Sequence, residues 1–222
     1  MRLIRFAALF LLVSIVPAAF AADQEDDSAS GRAVIREMNL ARQHPALYAT
    51  FLRELRSKMS GNVLVLPGHT RILTKEGTAA VDEAIRFLQN AQPLPPLALS
   101  RGMSRAAADH CADQAGGGFG HEGRDRSHGG QRIARYGTVM GGWAENISYG
   151  KSSARDVVLA LIIDDGLKAR KHRKNIFDPN YTVAGAAFGR HARFGTMCSM
   201  DFAGGYAERG ESAPEALVAR NF

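Results

Sequence analysis

The sequence predicts an α+β fold in which helices pack over a mainly antiparallel sheet. Three observations predict it. Several stretches with helical apolar spacing fill the first two thirds of the chain, two strand-like runs come late, and no strand-helix-strand alternation suggests a parallel sheet. At 222 residues, with 45% hydrophobic and 23% charged residues, the chain suits one globular domain rather than a disordered or polytopic membrane protein.

Arg2 and Arg5 precede an apolar run from Phe6 to Val16, which ends in the small residues Pro17 to Ala22. This reads as a secretory signal peptide over residues 1–21, whose apolar run is too short for a membrane span of roughly 20 residues. The formal charge of +6 falls to +4 without its two arginines, too mild to indicate a nucleic-acid partner. The mature chain is expected to lack an integral membrane segment and to be secreted or periplasmic.

Residues 22–30 are polar and acidic and read as a leader. Val34, Ile35 and Met38 start a helical stripe, and Pro45 suits the first turn of a second helix carrying Leu47, Tyr48, Phe51, Leu52 and Leu55. Residues 61–71 read as extended, ending in a turn at Pro67-Gly68. Ala80, Val81, Ala84, Ile85 and Leu88 mark a helix over about 75–90, stopped by Pro93, Pro95 and Pro96. Ser100 can cap a helix bearing Met103, Ala106, Ala107 and Cys111. A short helix is expected over 131–136, and Ser153 to Asp156 opens the most apolar helix, over 157–163. Strands are expected over 183–188 and 194–202, and residues 205–222 read as a polar tail.

Cys111 and Cys198 lie where export would permit a disulfide. A bridge closing so long a loop would contribute about 4–5 kcal/mol, and two buried thiols are the equal alternative. Of the seven histidines, His44 and His69 fall in turns, His110 in a helix and His191 in a hairpin. His121 and His172 stand out because each lies in a polar segment beside an element end. His121 and His128, seven apart across glycines, could form a local metal hairpin. Glu145 sits among aromatic and aliphatic neighbours, where a carboxylate must be paired to be buried. Asp164 and Asp165 end the most apolar helix against the macrodipole. The cations at 170–174 read as a solvated face, and Trp143 and Tyr149 read as core.

Taken in order, His121, Ala144-Glu145-Asn146-Ile147, Asp164, His172-Arg173-Lys174-Asn175-Ile176-Phe177 and Val183-Ala184-Gly185 resemble the CAP superfamily, in its cysteine-poor bacterial, SCP-like branch. Glu37 to Arg42 and Pro96-Leu97 extend the resemblance, and the implied domain covers residues 31–204. The resemblance implies a three-layer α-β-α sandwich with a cleft lined by two histidines and two acids. His121, Glu145 and His172 match three of these positions. Asp164 matches the second acid, with Asp165 as fallback and Leu161 in place of the family's tryptophan. Two neutral imidazoles with waters would bind zinc or a similar divalent cation, weakly. Glu145 is the candidate general base for a metal-assisted hydrolase, which is the alternative to a binding role. A small molecule, lipid or protein ligand in the cleft is the expected partner, and an apolar-ligand carrier is a further reading.

Overall fold

A computed structural model describes residues 18–65 and 71–210, with side chains from Gly31 onward. Most of the expected signal peptide, His69 and the end of the tail lie outside the described residues. The order is α1 (Ala18–Gln43), α2 (Pro45–Ser57), β1 (Met59–Ser60), β2 (Val63–Leu64), β3 (Ile72–Leu73), α3 (Thr78–Asn90), β4 (Ala98–Leu99) and α4 (Arg101–Gln114). It continues with α5 (Gly129–Ala134), β5 (Gly137–Tyr149), α6 (Ala154–Ile163), α7 (Lys171–Ile176), β6 (Val183–His191) and β7 (Gly195–Glu208). Helix α1 takes in the acidic segment 22–30, and β7 takes in the first residues of the segment read as a tail.

Four strands form the central sheet in the order β4-β6-β7-β5, and β1, β2 and β3 make a small separate one. Only the β4-β6 pair is parallel. Successive residues of a strand face opposite sides, and the two sides of this sheet carry different cores. On one side Ala184, Ala186, Cys198, Met200 and Phe202 pack with Val34, Met38, Tyr48, Val81, Leu88, Ile162 and Ile176 of α1, α2, α3, α6 and α7. On the other, Val183 and Ala203 pack with Met103 and Ala106 of α4 and Ile133 of α5. The result is the α-β-α sandwich.

Caps fix where the helices that matter to the site begin. Ser100 Oγ accepts from the Met103 amide at 3.0 Å and starts α4. Ser153 Oγ accepts from the Asp156 amide at 3.1 Å and starts α6. Each satisfies an amide that the helix leaves without an internal partner. Gly185 lets α4 lie against the sheet, since a Cβ there would collide with Met103 and the Ser104 amide. Arg42, almost fully buried, donates to the carbonyls of Pro95, Ile176, Asp178 and Tyr181 at 2.7–3.2 Å, pinning α1 to the end of α7.

Two further elements depart from expectation. Strand β5 is 13 residues long and runs through the Gly141-Gly142 pair, where its register with β7 shifts. The segment Lys171–Ile176 is helical, with Arg170 as its N-cap, rather than a solvated basic stretch. Arg173 is buried, bonding Ile162 O and both Glu83 oxygens, while Arg170 bonds Glu76 and Glu83. Lys171 and Lys174 are the two cations there that remain exposed.

Candidate functional site

Glu145 and Asn146 are consecutive on β5, so their side chains leave opposite faces of the sheet. Glu145 shares a row with Asp201 and Gly185, on the α4 and α5 side. His121 is delivered to it by the glycine-rich loop after α4, which four side chains clamp. His110 Nε2 lies 3.0 Å and Gln114 Nε2 2.6 Å from Gly120 O, His191 Nε2 lies 2.7 Å from Gly118 O, and the Gly120 amide donates to Tyr149 OH at 3.0 Å. The histidines read as ordinary thus hold the loop that presents His121.

His121 Nδ1 lies 2.7 Å from Glu145 Oε1. The other Glu145 oxygen accepts from Arg132 Nη2 at 2.5 Å, and Arg132 also donates to Ser127 O and His121 O. Burial alone would raise the Glu145 pKa; the His121 hydrogen bond and the charges of Arg132 and His110 outweigh it and hold the carboxyl below its usual range. Sequence reasoning required a partner for Glu145 and did not find Arg132. The available signal was the lone cation of the short helix Gly129–Ala134, itself fully buried.

The second dyad forms on the other side. Asp164 is the C-cap of α6 in the left-handed conformation, φ 55°, which turns its carboxylate toward α7. Its Oδ1 lies 2.7 Å from His172 Nδ1 and its Oδ2 accepts from the His172 amide at 3.0 Å. Asn146 Nδ2 donates to His172 O at 3.0 Å and Asn146 Oδ1 accepts from Asn175, so β5 also fixes α7. Asp165 is elsewhere: its oxygens accept from the Lys75 and Glu76 amides ahead of α3.

Each histidine is thus paired with one carboxylate, His121 with Glu145 and His172 with Asp164, as two dyads on opposite sides of one outer strand. A cavity of about 460 Å³ lies beside the second dyad, lined by His172, Asp164, Ile147, Leu159, Val81 and Leu64 among others, and not by His121 or Glu145. Among the described residues, no group of three or more His, Cys, Asp and Glu side chains is placed to hold a metal. In each dyad Nδ1 faces a carboxylate, so Nε2 is the ring nitrogen left to meet a ligand.

Asp201 is fully buried next to Glu145, and neither of its carboxylate oxygens has a hydrogen-bond partner among the described residues. Burial, together with the charge on Glu145, raises its pKa well above the ordinary carboxylate value, with Arg132 opposing. Cys111 and Cys198 are both buried, and no disulfide joins them. Cys111 packs with Ile147 and Met197 and donates to Ala187 O at 3.5 Å, whereas Cys198 belongs to the core on the opposite face. Trp143 is 44% exposed, not core: its ring lies on Gly129 and Gly130 at the start of α5.

An α-β-α sandwich with histidine-carboxylate pairs flanking an outer strand defines a class, and the family comparison agrees with it. The family model for the cysteine-rich secretory protein family, CAP, matches residues 36–202, and the chain belongs to that family. Among solved structures, the chain is 18% identical to an extracellular protein containing an SCP domain from Bacillus anthracis, covering 57% of this chain and 37% of that one, with a TM-score of 0.40. It is 16% identical to an outer surface protein of Borrelia burgdorferi, covering 50% of this chain and 78% of that one, with a TM-score of 0.41. A cysteine-rich secretory protein from Staphylococcus aureus is 14% identical, with coverages of 62% and 42% and a TM-score of 0.36. This chain thus spans just over a third of the Bacillus anthracis protein. No curated protein matches it. Among the described residues, no helix is long and apolar enough to cross a membrane.

Proposed function

We propose that this is an exported CAP-domain binding protein whose His121 and His172 present their Nε2 atoms to a divalent cation such as zinc. The observation that supports this reading is the pair of 2.7 Å contacts tying each Nδ1 to a carboxylate whose side chain is 2% exposed. Metal-binding histidines are oriented in this way by an outer carboxylate, which fixes the tautomer and makes the opposite nitrogen the ligand. The donor set is two imidazoles without a thiolate, so water would complete the coordination and affinity would be modest. The pairing of Arg170 and Arg173 with Glu76 and Glu83 removes much of the local positive charge that would oppose a dication. Export rests on the signal-like residues 1–21.

Binding is favoured over hydrolysis because both Glu145 oxygens are already bonded and its pKa is lowered, which leaves a poor general base. The test is calorimetric titration of zinc into the wild type and the His121→Ala/His172→Ala protein. Loss of zinc binding in the variant supports the reading, and equal affinity in both removes it.

A second reading is favoured by the cavity itself. At about 460 Å³, lined by Leu55, Met59, Leu64, Val81, Leu159 and Ile163 with His172 and Asp164 at its polar side, it suits a small apolar ligand with one polar end. A dansylated fatty acid should bind the wild type and be weakened by Leu73→Arg, at an exposed lining position. Absence of binding to the wild type ends this reading.

A further inference from the structure

Away from the dyads, the sheet has an edge that the chain leaves unfinished. Strand β6 is nine residues long, yet β4 covers it only at Val183 and Ala184 before the chain turns into α4. The Ala184 carbonyl points outward to the Ser100 amide, so by alternation the backbone groups of Ala186, Phe188 and Arg190 point outward too. Gly31 of α1 presses on the Ala186 carbonyl and closes the edge there; a Cβ at Gly31 would clash with it. The outward N–H and C=O groups of Phe188 and Arg190 have no partner among the described residues.

This edge forms part of a groove of about 680 Å³ between α4 and β6. Its floor is small and apolar, with Ala108, Ala112, Ala186 and Ala187. Four arginines stand around it, Arg32, Arg101, Arg105 and Arg190, all exposed and none with an ion-pair partner among the described residues. The one lining acid, Asp109, is already engaged by Arg135 and Tyr136. An open strand edge alone would call for no partner, because charged side chains are a common way of protecting edges. Here four cations converge on one concave slot whose base offers unpaired backbone groups. Helix α4 is 14 residues long, so the slot beside it extends about 21 Å, room for roughly six extended residues.

We infer that the β6 edge between α4 and α1 binds an extended acidic peptide segment of another protein, which adds as a strand at Phe188 to Arg190 and pairs its carboxylates with the four arginines. Main-chain hydrogen bonds supply part of the affinity and the arginines select the charge. Several outward charges also make the association salt-dependent.

Fluorescence anisotropy with a labelled heptapeptide of alternating glutamate and valine tests this. The wild type should bind it. Affinity should fall at least tenfold in Arg105→Glu/Arg190→Glu, fall with added salt, and be retained in Arg105→Lys/Arg190→Lys. Circular dichroism confirms that the variants are folded. The same peptide N-methylated at alternate residues should lose binding, which separates strand addition from simple charge attraction. Failure of the wild type to bind, or equal binding by the reversed-charge variant or of the methylated peptide, overturns the inference. Dodecanoate bound at these arginines in place of the peptide would also overturn it, making the groove an amphiphile site. His121→Ala/His172→Ala should leave peptide binding unchanged, so this inference and the proposed metal site fail separately.

Discussion

Arg132 and Glu145 form a charge pair that is closed to solvent, with side chains 0% and 2% exposed and a nitrogen-oxygen distance of 2.5 Å. The pair joins α5 to β5 and leaves the second Glu145 oxygen directed at His121. Removing one partner of such a pair strands a buried charge, which costs about 3–5 kcal/mol, whereas replacing both with apolar groups of similar size costs far less. Arg132→Met should therefore lower stability by about that amount in denaturant unfolding. Arg132→Met/Glu145→Met should recover most of the loss. A double variant as unstable as the single one would show that the pair is not the source of the effect.

Asp201 offers a test with the sign fixed by linkage. Its folded pKa lies well above the unfolded value of about 3.8, so the folded state binds the proton more tightly. The resulting stability is present below pH ~3.8 and is lost as pH rises toward the folded pKa. Asp201→Asn carries no such proton, so its stability relative to wild type should improve as pH rises above about 4. Thermal melts across that range check it, and parallel curves for the two proteins would contradict it.

Trp143 is the sole tryptophan and a reporter for the approach of α5 to β5. A Cβ at Gly130 would sit 2.7 Å from Trp143 Cε2, too close for both to keep their places. The ring is half exposed and free to swing outward, so Gly130→Ala should shift the emission to longer wavelength while costing no more than about 1 kcal/mol. An unchanged spectrum would mean that the ring does not rest on Gly130.

How much of this was legible depended on distance along the chain. The caps at Ser100 and Ser153 were readable because a capping side chain answers an amide two or three residues away. The late strands β6 and β7 were readable as apolar runs on either side of a turn. Strand β5 was not, because its first half is largely exposed and the Gly141-Gly142 irregularity breaks the two-residue period. Helix α7 was hidden for another reason: the glutamates that neutralise Arg170 and Arg173 lie about 90 residues away, and no local pattern points to them. His121, Glu145, Asp164 and His172 each stand out by local context, and only the family order joins them into one set. Their arrangement as two dyads, one on each side of β5, required the register of the sheet and the left-handed turn at Asp164.

His121 and His172 are held by carboxylates through Nδ1, and the proposed function has them offer Nε2 to a cation. Long-range proton-nitrogen correlation spectra of the two imidazoles, recorded with and without zinc, test it most directly. In the neutral rings Nδ1 should carry the proton, and added zinc should shift the Nε2 resonances of both histidines. Rings protonated at Nε2, or Nε2 resonances indifferent to zinc, would contradict it.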